Sequence, residues 1–335
     1  MTRYAVGVGV HPAPDPTIES QLEDYRVELT GYCYRMLGSA FEAEDAVQET
    51  MTRAWRSLSR FEGRSALRTW LYRIASNVCF DLLNARQKRA RPMDLSGPSA
   101  ADDPIGIPLV ESTWVEPMPD AAILPAADDP AVVAAARESV RLAFIAALQF
   151  LPPRQRAVLI LREVLRLEAS EVADLLETTV ASVNSALQRA RATMAARDLA
   201  TTEVPATPAS EADRELLARY VEAFEAYDID RLTSLIREDA LQSMPPYAMW
   251  LRGRSDILQF WFGPGEKCRG SRLVPVEANG RPAFGQYRPA DDATHYEPWA
   301  IVVLEPGDGG IAELTFFLDT ARLFPLFGLP PRLER

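Results

Sequence analysis

Between residues 39 and 91 acid and base are segregated along the chain. Glu42, Glu44, Asp45 and Glu49 fall in one stretch, and Arg64, Arg68, Arg73, Arg86, Lys88, Arg89 and Arg91 in the next. The first stretch suits charge-assisted hydrogen bonds with a basic partner, the second suits phosphate. Among the arginines, Trp70, Tyr72, Ser76 and Asn77 add ring faces, hydroxyls and an amide. Holding bases that have left a stack takes such a set. These residues occupy successive helical positions, so some of them must belong to a core. Further along, Thr179, Ser182, Asn184, Ser185 and Gln188 are polar positions of one segment, followed by Arg189 and Arg191. Asn and Gln at such positions can pair with adenine in a major groove, while the arginines suit phosphate.

Helices must carry both sets. Apolar residues at Ile18, Leu22, Tyr25, Leu29, Tyr32 and Met36 predict a first helix that stops at Gly38. Ser39 with Glu42 reads as a capping box for the next one, whose buried stripe is Ala43, Val47, Met51, Ala54 and Leu58. Burial of that stripe leaves Asp45, Gln48 and Glu49 outside. A third helix is expected from about Ser65 to Arg89, with Leu67, Leu71, Ile74, Val78 and Leu82 inward. Between 169 and 191, Ser170 is expected to cap a short helix, Glu177 and Thr178 to turn, and Thr179 to lead a second helix, a helix-turn-helix pattern. Val172, Ala173, Leu176, Val183 and Leu187 would lock the pair.

The composition excludes several classes. With 335 residues and 47% hydrophobic content the chain can bury two or three cores. A net charge of -11 speaks against a protein that coats DNA indiscriminately. The average hides a stretch, 60–91, with a net positive charge of about six, followed by a 93–130 segment with eight carboxylates and no lysine or arginine. Neither an apolar run of bilayer length nor a signal-peptide pattern is present, which predicts a cytoplasmic protein without membrane contact. Cys33, Cys79 and Cys268 lie far apart and only two histidines exist, so no metal or cofactor is expected.

The run Glu42-Ala43-Glu44-Asp45-Ala46-Val47-Gln48-Glu49, the segment TWLYRIASN at 69–77 and the helix-turn-helix together resemble the sigma-70 family of transcription initiation factors, in its extracytoplasmic-function branch. The resemblance implies an all-helical region 2 over 17–92 and an all-helical region 4 over 132–200. It implies that Asp45, Gln48 and Glu49 bind the β′ clamp helices of core RNA polymerase. Trp70, Arg73, Asn77, Arg86 and Arg89 would then serve the −10 element of promoter DNA, with Trp70 as an aromatic wedge. Thr179, Ser182, Asn184, Ser185, Gln188, Arg189 and Arg191 would serve the −35 element. Glu177 and Ala181 stand where the family commonly has glycine.

Residues 1–16 read as a disordered start, 93–131 as an acidic, proline-rich linker and 201–210 as a second linker. In 211–335 two helical patterns precede strands, with Asn279-Gly280 and the run from Gly307 to Gly310 as hairpin signals, an α+β module. It resembles the SnoaL-like cone fold. The resemblance implies a pocket, with Met244, Trp250, Tyr287, Trp299 and Phe316 as candidate lining and room for an unknown small ligand. Asp239, Asp256, His295 and Glu297 are possible acids or bases, but no spacing singles out a pair, so no enzyme is expected. The module is expected instead to regulate in cis, packing on the helical part and on the linker island around Trp114.

Overall fold

The computed structural model describes residues 21–58, 61, 66–84, 88–125, 129–196 and 211–335. The expectations for 1–16, for Ile18, Arg64 and Arg86, and for the 201–210 linker lie outside them.

Gly38 ends α1 (Arg26–Leu37) in the left-handed conformation, φ 70°, and its N–H donates to the Tyr34 carbonyl. Ser39 starts α2 (Ala40–Ser57), its Oγ accepting from the Glu42 N–H at 3.3 Å. Only half of the expected capping box forms, because the Glu42 carboxylate turns to Arg89 at 2.7 Å. The third helix, α3 (Leu67–Leu83), stops short of the expected end at Arg89. Ala90 instead pairs with the linker, donating its N–H to Thr113 O and accepting from Val115 N–H.

The second helical region is α4 (Pro130–Glu138), α5 (Leu142–Gln149), α6 (Pro153–Leu159), a π turn at Ile160–Val164, α7 (Ala169–Leu175) and α8 (Val180–Ala196). The cap of α7 is Glu168 rather than Ser170, with Glu168 and Glu171 forming a reciprocal box. Glu177 makes the turn with φ 52°, a left-handed conformation that glycine adopts without steric cost. Val172, Ala173, Val183 and Leu187 are buried as the pattern predicts.

The two helical regions share one hydrophobic core. It runs from Leu29, Tyr32, Val47, Leu71 and Val78 to Ile145, Leu148, Ile160, Leu175 and Leu187, and takes in Met118 and Ile123 of the linker.

The C-terminal region opens with α9 (Glu211–Glu225) and α10 (Ile229–Leu235), then β1 (Ile236–Ser243), β2 (Trp250–Arg252), α11 (Arg254–Phe262), β3 (Arg272–Ala278), β4 (Arg281–Pro289), β5 (His295–Gly307), β6 (Gly310–Phe317), α12 (Thr320–Leu326) and β7 (Leu333–Glu334). The sheet order is β2-β1-β6-β5-β4-β3, with β7 beside β5 and only β1–β6 parallel. Period-2 alternation buries both faces. Ala300, Val302 and Leu304 of β5 meet Phe224, Trp261 and Phe316 on one side. Ile301 and Val303 meet Tyr287, Phe317 and Phe324 on the other, where Phe41 of α2 and Leu142 of α5 also pack. The second sheet face is thus closed against both helical regions.

Candidate protein and nucleic-acid interfaces

On α2, Asp45, Gln48 and Glu49 are exposed above the buried Ala43, Ala46, Val47, Thr50 and Ala54. Glu49 pairs with Arg53 one turn on at 2.7 Å, and Arg53 lies 3.4 Å from Asp81 of α3. Trp55, 58% exposed, continues the same face. Sequence reasoning missed it, although its spacing of seven from Gln48 marks that face.

Helix α3 divides its polar and aromatic set between surface and core. Tyr72 and Ser76 are buried: the Tyr72 ring meets Tyr32 edge-on at 5.1 Å, and Ser76 Oγ donates to Tyr72 O and lies 2.7 Å from the Tyr32 hydroxyl. Asn77 is exposed, and Trp70 is half-buried beside Phe61 with ring centroids 5.0 Å apart. Arg73 donates from Nη2 to Asp174 O of α7 at 3.1 Å, so it stands at the seam between the two helical regions.

Arg89 corrects the sequence reading. It is 6% exposed and donates to Glu111 O at 3.0 Å, Trp114 O at 2.7 Å and Glu42 Oε1 at 2.7 Å. Burial pushes its guanidinium below the ordinary arginine range. Its donors tie the linker to α2 and are not presented to phosphate.

All seven polar candidates of the second set, Thr179, Ser182, Asn184, Ser185, Gln188, Arg189 and Arg191, are exposed at or on α8. Thr179 Oγ1 accepts from the Ser182 N–H at 3.1 Å, which starts the helix. Arg189 donates to Ser185 Oγ at 2.5 Å, and Arg191 pairs with Glu163 at the surface. Asn184 and Gln188 lie one turn apart on the outer face.

The C-terminal candidates do not surround one cavity. Trp250 is buried and donates from Nε1 to Ser96 O of the linker at 3.0 Å. Tyr287 is packed edge-on against Phe324, its hydroxyl donating to Pro330 O at 2.7 Å. Trp299 lies on the opposite sheet face under the Arg288 guanidinium. They fail to converge because the β4–β5 register shifts between Gln286 and Tyr287, which leaves Trp299 unpaired and on the face of Ala300, while Tyr287 shares the other face with Ile301. A cleft of about 1290 Å³ lies elsewhere, between α4, α9 and the β3–β4 and β5–β6 turns.

The linker is held at several points between Ser96 and Asp120. Ser99 and Leu109 donate backbone N–H groups to Trp250 O and Pro246 O, and Ala101 enters the C-terminal core. Trp114 is buried on the first helical region, in a parallel bridge with Ala90. Arg322 of α12 lies over the Phe41 ring at 3.9 Å and pairs with Glu111 and Glu116. Arg281 of β4 pairs with Glu138 of α4 at 2.5 Å and with Glu305 at 2.8 Å, while Arg141 bonds Glu305 at 3.0 Å.

Asp120, Glu116 and Glu305 are acids of this junction raised by burial, and Asp120 is the one that meets the β3–β4 hairpin tip. Burial lifts its carboxyl from 3.8 to about 6, against the Gly280 N–H, Arg137 and Arg281, which favour the anion, and with Glu277, which opposes it. A raised acid contributes stability that is complete below about pH 4 and lost as pH rises through about 6. Asp120→Asn keeps an oxygen for the Gly280 N–H and removes the buried charge. It is expected to stabilise the full chain by about 3 kcal/mol at pH 7.5 and by only about 1 kcal/mol at pH 4.5, where the folded acid is still protonated. Urea unfolding at both pH values measures this, and an equal effect at both would refute the assignment.

Residues 22–89 match the family model described as Sigma-70 region 2, and 141–194 match that of Sigma-70, region 4. Over 319 residues the chain is 46% identical to the ECF RNA polymerase sigma factor SigG of Mycobacterium tuberculosis strain H37Rv, covering 93% of this chain and 83% of the relative. It is 28% identical over 250 residues to SigJ of the same strain, covering 73% and 72%. The crystal structure of the Mycobacterium tuberculosis extracytoplasmic function sigma factor SigJ superposes with a TM-score of 0.59 at 23% identity, over 93% of this chain and 99% of that one.

Proposed function

Since the chain belongs to the extracytoplasmic-function class of RNA polymerase sigma factors, which direct transcription by binding rather than by chemistry on a substrate, we propose that its C-terminal α+β domain restrains that activity in cis. The observation that carries the reading is the shared core. Promoter elements at −35 and −10 are separated by about 25 base pairs, roughly 85 Å at about 3.4 Å per base pair. Two readers fused through Val47, Leu71, Ile145 and Leu175 cannot sit on both at once. The C-terminal sheet, packed on Phe41 and Leu142, favours that fused state over an open one.

In this reading Asp45, Gln48 and Glu49 engage the β′ clamp helices. Trp70, Arg73 and Asn77 serve the −10 strand, and Asn184 and Gln188 with their neighbours serve the −35 groove. The exposed face of α2 is open to polymerase in the closed state, whereas Arg73 is engaged at the seam. Promoter reading, more than polymerase docking, is therefore what closure restrains. Two weak DNA contacts joined through polymerase gain from effective concentration once the chain opens.

Removal of residues 211–335 is expected to raise promoter-specific run-off transcription by reconstituted holoenzyme severalfold over the full chain, with polymerase affinity changed less. Equal or lower output from the truncated chain would count against restraint.

A further inference from the structure

The tip of the β3–β4 hairpin reaches the place where the two helical regions and the linker meet. Asn279 is fully buried with a left-handed φ of 57°, and Gly280 follows at 71°. Two consecutive positive φ values make the tight turn for which Asn-Gly is favoured. That turn asks nothing of the asparagine side chain, yet both its polar atoms are used. Oδ1 accepts from the Met118 N–H at 3.0 Å while the Asn279 N–H donates to Met118 O at 3.1 Å, extending the bridge between Ala278 and Pro119. Nδ2 donates to the Tyr34 hydroxyl of α1 and to Val140 O before α5, both at 2.7 Å. Tyr34 in turn donates to Glu116 O at 2.7 Å, which commits its proton to the linker and leaves the oxygen to accept. A Cβ on Gly280 would stand 2.6 Å from the Arg137 carbonyl oxygen, so the tip can approach α4 this closely only as glycine.

We infer that the Asn279–Gly280 tip is the contact surface through which the C-terminal domain clamps the two helical domains together, and that its partner is the composite seat of Tyr34, Met118 and Val140. This rests on the reading of that domain as a restraint in cis. The three seat groups come from three segments, so the seat exists only while the helical domains are closed on each other. A tip that binds the closed form and not the open one shifts the equilibrium by its differential affinity. Three side-chain hydrogen bonds at roughly fivefold each amount to a shift on the order of a hundredfold.

The test uses the full chain with Asn279→Gly, which keeps the left-handed backbone and removes the amide, and separately with Gly280→Ala, which drives the tip off the Arg137 carbonyl. Near-ultraviolet circular dichroism reports folding, small-angle scattering reports opening, and run-off transcription is compared with the chain lacking 211–335. The expected result is folded, expanded variants whose open fraction rises on the order of a hundredfold and whose transcription moves toward that of the truncated chain. If the truncated chain transcribes more than the full one while both variants stay compact and transcribe as the parent does, the tip is not the clamp and the cis restraint stands. Expanded variants beside a transcriptionally silent truncation would keep the clamp and remove the restraint. Compact variants beside a silent truncation would remove both.

Discussion

Joint replacement of Asp45 and Glu49 by lysine is expected to weaken binding to core polymerase by at least about a hundredfold while leaving the fold intact. The fold tolerates the change because both side chains are exposed, with burial on α2 supplied by Ala43, Ala46, Val47 and Ala54. Glu49 loses only its pair with Arg53, in which both side chains are more than two-fifths exposed. Such an i,i+4 pair is worth about 0.3 to 0.5 kcal/mol. At an interface the arithmetic differs. A carboxylate matched to a basic partner contributes a charge-assisted hydrogen bond, and a like charge in its place costs several kcal/mol. Affinity titration of labelled protein with core polymerase, next to a thermal melt, measures both halves. Unchanged affinity with an unchanged melt would remove α2 from the docking surface.

Much of this arrangement is legible locally. The exposed stripe of α2 follows from the spacing of its apolar residues, Gly38 and Ser39 punctuate the chain as their chemistry requires, and Asn279-Gly280 makes the hairpin it spells. The sequence reading fails where a residue's partners lie far along the chain. Arg89 sits in a basic run that looks like a phosphate contact, but its hydrogen-bond partners are Glu42, Glu111 and Trp114, none within 20 residues of it. Trp250, Tyr287 and Trp299 look like one aromatic pocket until register sends them to different surfaces. Tyr34 falls outside the apolar stripe of the first helix, yet it is buried and its hydroxyl joins Glu116 and Asn279, and nothing in a local pattern encodes that.

The two helical domains also hold each other through a reciprocal pair of buried arginines. Arg35 of α1 reaches Ser139 between α4 and α5, donating from Nε to the carbonyl at 3.1 Å and from Nη2 to Oγ at 2.6 Å. Arg156 of α6 reaches back to the Met36 carbonyl at the end of α1. Both stand in carbonyl and hydroxyl surroundings, and burial pushes each guanidinium down to about 10. An arginine so placed is costly to bury, yet its neighbours have come to depend on it.

Arg156→Leu is therefore expected to cost about 3 to 5 kcal/mol, a large part of the roughly 5 to 15 kcal/mol that holds a domain together. Arg156 is 3% exposed, and besides Met36 O it donates to Gln149 Oε1 at 2.6 Å, Gln149 O at 3.0 Å and Leu151 O at 3.1 Å. Met36 O belongs to the last turn of α1, where a helix leaves carbonyls without internal partners. Leucine fills much of the volume but strands four acceptors in a dry seam, and unmade buried hydrogen bonds cost more than made ones contribute. Arg156→Lys keeps the charge with a single donor head in place of a planar fork, so an intermediate loss is expected. Arg191→Ala removes only a surface pair with Glu163, side chains 63% and 40% exposed, and should cost less than about 1 kcal/mol. Urea unfolding of the three variants ranks these effects. A loss below about 1 kcal/mol for Arg156→Leu would mean that the seam admits water to those carbonyls, and that the apolar core alone keeps the helical domains closed.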